Sequence, residues 1–159
     1  MDSRWLLFLH IGAVLALMLA HGVHVTASWK KRWEADPTRQ LALFDPLTDA
    51  RWLRLGMGAV IGSGLLSVWA LDIWTQRWPW LSLAVLVLLW LLMYRWGGAY
   101  YNATEMTAEA LLAAQGTDNA AAARRAFDQA RQSWLVPAMT VLGLGALAFI
   151  LWLMVFRPG

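Results

Sequence analysis

The sequence predicts an all-α integral membrane protein. Its expected form is a four-helix transmembrane bundle whose third and fourth helices extend into a cytoplasmic helical hairpin. Three observations predict it. Of 159 residues, 60% are apolar and 14% are charged, against roughly 45–50% and about 25% in soluble chains. Charge is nearly absent from four runs, about residues 5–27, 55–73, 80–96 and 135–156. Each matches the roughly 17–25 residues that a helix uses to cross a hydrocarbon core. None alternates with period two, so they are helices and not barrel strands. A mean hydropathy of +0.49 excludes a soluble enzyme and a disordered tail. The absence of cysteine excludes a disulfide-rich fold, thiolate metal sites, iron–sulfur clusters and a cysteine nucleophile. The chain reads as a single domain over residues 1–159.

The first span carries Arg4 and a small-residue stretch, Val25-Thr26-Ala27, that resembles a signal-peptide cleavage site. Its apolar run is too long for a signal peptide, so it reads as a retained span. Basic residues then orient the bundle. Lys30, Lys31, Arg32, Arg39, Arg51 and Arg54 lie between spans one and two. Arg124, Arg125 and Arg131 lie between spans three and four, with Arg95 at the edge of that segment. The other side has Arg4, Arg77 and Arg157. The positive-inside rule predicts both larger segments, about 28–54 and 97–134, in the cytoplasm and both termini outside. It also predicts anionic lipids against the basic face. The net charge of +3 is thereby assigned to the membrane and not to nucleic acid. Ten of the 12 tryptophans, among them Trp5, Trp29, Trp78, Trp80 and Trp134, fall at or near span ends, as an aromatic belt requires. Trp69 and Trp90 lie deeper.

On the cytoplasmic side, Asp36-Pro37 and Asp45-Pro46 each read as an N-cap followed by proline at the first helical position. They predict a short helix over Pro37–Phe44 and an early start to helix two. Ala99–Gln115 and Asn119–Gln132 are rich in helix formers and flank the turn Gly116-Thr117-Asp118-Asn119. Glu105 and Glu109 are expected to pair with Arg124, Arg125 or Arg131 across this hairpin. In span two, Gly58-x-x-x-Gly62 with Ser63 and Ser67 predicts close helix packing, inside the bundle or at a homodimer seam.

All three histidines, His10, His21 and His24, lie in span one. Ionisable residues within a span are functional candidates. At about 100° per residue they fall on one stripe, His21 about 20° and His24 about 40° from His10. Several readings stay open. The histidines are structural, bonded within the bundle or at the headgroups. They hold haem b, for which imidazole is a standard axial ligand. They hold copper, with Met18, His21 and His24 spaced by three along one helix side. Or they handle protons or anions. For haem, His10 and His24 would serve different membrane faces. The sixth ligand then comes from a parallel homodimer, a partner subunit, or Met57, Met93, Met139 or Met154, or the iron stays five-coordinate. Asp72 is expected to form a salt bridge with Arg77 or Arg4. No nucleotide loop, zinc-protease motif or nucleophile elbow is present.

Leu9-His10-Ile11-Gly12-Ala13-Val14 resembles the opening of small four-helix bacterial membrane proteins related to the membrane domain of copper-resistance protein D. The basic loop with Asp36-Pro37, the glycine-rich Gly56–Gly64 and Trp78-Pro79-Trp80 follow in the same order. The resemblance covers about Trp5 to Trp96. It implies a bacterial inner-membrane protein with copper or haem at His10. A fainter likeness to membrane-type protoporphyrinogen oxidase rests on the first-span histidine. Thr26-Ala27-Ser28-Trp29-Lys30 stands where that family has a Leu-Pro-Arg-type motif, which argues against its activity.

Two function classes follow. One is a membrane protein binding haem b or copper through His10, His24 and His21, with Met18, for electron transfer or metal handling. The other is a non-catalytic accessory or assembly subunit of a larger respiratory or photosynthetic membrane complex. Neither requires catalytic activity of the chain itself.

Overall fold

The computed structural model describes residues 3–43 and 50–157. Every regular element among them is a helix: α1 (Ser3–Trp33), α2 (Pro37–Ala42), α3 (Ala50–Ala70), α4 (Arg77–Ala113), α5 (Ala120–Arg131) and α6 (Leu135–Phe156). Four helical runs, ending in or made by α1, α3, α4 and α6, are long and apolar enough to cross a membrane. The fold is therefore the expected all-α bundle. Phe44 and the Asp45-Pro46 cap lie outside the described residues.

Local chemistry explains the boundaries. The Asp36 carboxylate accepts from the backbone N–H of Thr38 (2.9 Å) and Arg39 (3.4 Å), and Pro37 opens α2 where no donor is needed. Helix α3 stops at Ala70, short of the expected 73, because Asp72 turns left-handed at φ 51°. Aspartate tolerates that conformation better than most residues. Helix α4 runs unbroken through Gly97 and Gly98 to Ala113, so the third helix is one continuous rod. The fourth does not. Residues 132–134 separate α5 from α6. Pro137 accounts for the break, since its ring clashes with the carbonyl four residues earlier, that of Ser133. The hairpin turn falls at residues 114–119, with Gly116 at φ 79°, where a side chain would be strained.

The tightest packing lies at the basic end. Ala108 and Leu111 of α4 and Phe127 of α5 form a buried core, flanked by Leu41 of α2 and Ala123. Burying Phe127 alone contributes about 1.5–3 kcal/mol. Beside it, Tyr100, Thr104, Gln40 and Lys31 are fully buried. The Lys31 ammonium sits 5.1 Å from the Tyr101 ring centroid, and Glu105 attracts it electrostatically.

The expected cross-hairpin pairs do not form. Arg124 and Arg131 both bind Asp128 on their own helix, at 3.1 and 2.7 Å. Their other N–H groups donate to the carbonyls of Ala35 and Arg32 at 3.1 Å each. Arg32 in turn donates to the carbonyl of Ser133. The reason is electrostatic. The Arg32 carbonyl, in the last turn of α1, lacks a helical partner and carries the negative end of its dipole, and the Ala35 carbonyl lies just past that end, so both compete successfully for the guanidinium groups. Asp72 likewise forms no ion pair with Arg77 or Arg4 among the described residues.

In the apolar half, close backbone approach joins α1 to α3 and α4 to α6, with slight contact between α1 and α6. Two glycines of α3 make the first pairing possible. A Cβ on Gly56 would stand 3.1 Å from Leu17, and one on Gly64 would stand 3.2 Å from His10. Gly58 and Gly62, the more obvious motif, have nothing within 4 Å. They face away from the bundle. Few side chains here are buried, and Leu19, Phe8, Val141 and Trp69 are wide open, a surface suited to lipid.

Two tests follow. Gly64→Leu should lower stability by about 1–3 kcal/mol through overpacking. Gly58→Ala should be neutral or stabilising by up to ~1 kcal/mol through helix propensity. Intrinsic-fluorescence melts in detergent read both, and equal effects would contradict the packing. At the basic end, the Arg131 hydrogen bond, reinforced by Arg124 against partial burial, lowers the Asp128 pKa. A lowered carboxyl pKa stabilises the fold above the unfolded value and is lost as pH falls through the folded one. Asp128→Asn should therefore cost under about 1 kcal/mol at neutral pH. Melts on an acid series should show the gap to the parent closing below about pH 4.

Candidate cofactor-binding cavity

Helix α1 presents Leu7, His10, Val14, Leu17, Met18 and His21 along one side, at helical spacing. Because α1–α3 and α4–α6 meet only lightly, that side faces a cavity of about 610 Å³ between the two pairs. Its size falls within the roughly 300–1,000 Å³ of ligand pockets. Met57, Val60, Gly64 and Ser67 of α3 line it, as do Leu83, Trp90 and Met93 of α4 and Ile150 and Met154 of α6. Trp78, Trp80 and Arg157 line the end near the chain termini.

His10 sits on Gly64, where the missing side chain leaves room for the ring. Its Nδ1 lies 3.0 Å from Ser63 Oγ. The serine has one hydroxyl hydrogen, and it goes to the carbonyl of Ala59 at 2.6 Å. Val60 offers the hydroxyl a second, longer carbonyl at 3.3 Å; with the hydrogen on either carbonyl, the serine accepts from His10 and Nδ1 is the protonated nitrogen of the neutral ring. The ring also meets the backbone of Val60, and Nε2 is the nitrogen turned away from Ser63. A histidine that ligates a metal is typically held through its other ring nitrogen in this way.

His21 also lines the cavity. Its Nε2 is 3.6 Å from where a Cβ on Gly143 would stand, and Met93 Cε is 3.2 Å from the same point. A glycine of α6 thus gives His21 and Met93 their space. His24 is on the same stripe but not on the cavity wall. It lies one turn deeper toward the basic end, where its carbonyl accepts from Ser28 Oγ (2.8 Å) and the Tyr101 hydroxyl (3.4 Å). Of the expected copper set, Met18 and His21 reach the cavity and His24 does not. No group of three His, Cys, Asp or Glu is gathered in metal-holding proximity among the described residues. Of the methionines considered as sixth ligands, Met57, Met93 and Met154 line the wall, while Met139 packs against Gly97.

Sequence reasoning treated Ser63 only as a small packing residue. Its signal was its position: in an apolar span, four residues after Ala59 and on the α3 stretch that covers His10. Trp90 proves to line the cavity, whereas Trp69 is exposed on the outside. Comparison with protein-family models, with curated proteins and with solved structures gives no match.

The bonding scheme predicts that neutral His10 carries its proton on Nδ1. Nitrogen NMR of isotopically labelled histidine in micelles should find that tautomer, and Ser63→Ala should mix the two. An Nε2-protonated ring in the parent protein would contradict the scheme.

Proposed function

We propose that this chain is a multi-pass protein of a bacterial inner membrane that binds haem b in the cavity between its helix pairs, where His10 would hold the iron. The observation that carries the reading is the held imidazole: Nδ1 lies 3.0 Å from Ser63 Oγ, the ring sits on Gly64, and the side chain lines the cavity. The volume and apolar wall suit a porphyrin, and the described residues offer His21, Met57, Met93 or Met154 for a second ligand. Copper is the weaker alternative, since His24 is off the wall. Bound haem would supply one-electron redox chemistry. The residues' part is to position it. Ser63 orients His10, Gly64 and Gly143 open space beside the two histidines, and the leucines and valines exclude water.

The positive-inside pattern supports both termini on the outer face, with anionic lipids at the basic face. A second reading, an accessory subunit of a larger membrane complex or a homodimer, draws on one observation. Gly58 and Gly62 leave a smooth, open strip on the outside of α3, which suits close helix docking.

A visible spectrum of the gently purified protein, before and after dithionite, tests the proposal. A Soret band with sharpened reduced α and β bands is expected. His10→Ala should lose it and His24→Ala should keep it. A flat spectrum, with protein that purifies only in company, would leave the subunit reading standing instead.

A further inference from the structure

We infer that the end of the cavity near the chain termini is a carboxylate subsite, formed by Ser82, Gln76 and Arg157. It takes the acidic group of a ligand whose apolar body fills the rest.

Ser82 is the first observation. Ser28, Ser63, Ser67, Thr104, Thr107 and Thr140 each donate to the carbonyl four residues back in their helix. That bond is the ordinary way to satisfy a hydroxyl in an apolar helix. Ser82 does not make it. Its residue is 8% exposed and lines the cavity, yet its Oγ is buried with no hydrogen-bond partner. A buried unsatisfied hydroxyl is costly, and native structures rarely leave one without a reason. Because the residue lines the cavity, a χ1 change between staggered wells is enough to re-aim the hydroxyl toward a ligand there.

The neighbouring donors form the second observation. Two indole N–H groups at this end are already used. Trp78 donates to Gln76 Oε1 at 2.5 Å and Trp80 donates to the carbonyl of Trp74 at 2.9 Å. With its oxygen so engaged, Gln76 has its NH₂ group left to offer. Arg157 ends α6 in a left-handed turn at φ 45°. Its guanidinium lies 5.9 Å from the Trp78 ring centroid, and its Nε makes a long 3.4 Å bond to the carbonyl of Met154. Among the described residues no carboxylate lines the cavity, and Asp72, nearby in the chain, is off the wall. The end therefore presents a hydroxyl, an amide and a cation, all donors, at the mouth of an apolar chamber. Their common complement is an anionic oxygen pair, which guanidinium binds with particular strength.

Two sources carry that chemistry: the propionates of a porphyrin, and a free long-chain fatty acid. Only the first rests on the haem reading. The test uses the full chain in detergent micelles. Haem b and its dimethyl ester are titrated by Soret absorbance. Dibrominated stearate and the matching alcohol are titrated by quenching of Trp78, Trp80 and Trp90. The acid of at least one pair should bind about tenfold tighter than its neutral partner, the size of one charge-assisted hydrogen bond. Ser82→Ala and Arg157→Gln should each shrink that preference, and Gly58→Ala should keep it. A preference in the haem pair identifies the propionate source. A preference in the stearate pair, with no haem binding, sinks the haem reading and upholds the subsite. Haem binding as tightly as its ester, with stearate no better than the alcohol, overturns the subsite and spares the haem reading. No binding by any probe overturns both. The comparisons on the parent protein decide these outcomes even if a variant fails to fold.

Discussion

An imidazole seated on a glycine is the contact on which the apolar half of this molecule depends. Gly64 lets α3 approach α1 closely enough for Ser63 to reach Nδ1 of His10. A larger residue there would push the helices apart and break the bond together. The same contact places His10 on the cavity wall. A polar group within an apolar span is expensive unless bonded, so one hydrogen bond both removes part of that cost and orients the ring. Lipid supplies no hydrophobic force to draw helices together. Small residues and such bonds take over, and Gly56 and Gly64 do this on the inner side of α3.

The molecule divides its stability unevenly along its length. At the basic end, α2, α4 and α5 bury a conventional core around Phe127, and arginine side chains lash α5 to the end of α1. In the apolar half the four helices meet mainly as two pairs, and the space between the pairs is the cavity. A clamp at one end and a loose seam at the other is a workable design for a binding chamber. The clamp holds the helices in register while the seam leaves volume unfilled. Close packing everywhere would remove the chamber, because interiors packed to normal density have few voids larger than a water.

The three histidines show how far phase alone carries. Their spacing places them on one stripe, and His10 and His21 do share the cavity. Depth separates His24. The stripe continues past the end of the chamber to where Ser28 and Tyr101 close the gap between α1 and α4. The copper set read from Met18, His21 and His24 therefore spans two environments. The glycines make the same point. Gly58 and Gly62 look like the packing motif, yet Gly56 and Gly64 pack, because which pair faces α1 depends on how α3 is rotated about its axis.

By itself the sequence determined the four apolar helices, the short capped helix at Pro37, the turn at Gly116 and the stripe that carries the histidines. These are local: composition sets the solvent, caps set the ends, and a helical period sets the face. Three things differ from its expectation or lie outside it. The break before α6 arises where Pro137 forbids a continuous rod. Arg124 and Arg131 choose Asp128 and the end of α1 over the hairpin glutamates, because unpaired carbonyls from a distant helix lie there. The partners of His10, and the unsatisfied hydroxyl of Ser82, depend on helix rotation and on the seam between pairs. Those are set by contacts between residues about 50 or more apart in the chain, as with His10 and Ser63, and no local pattern encodes them.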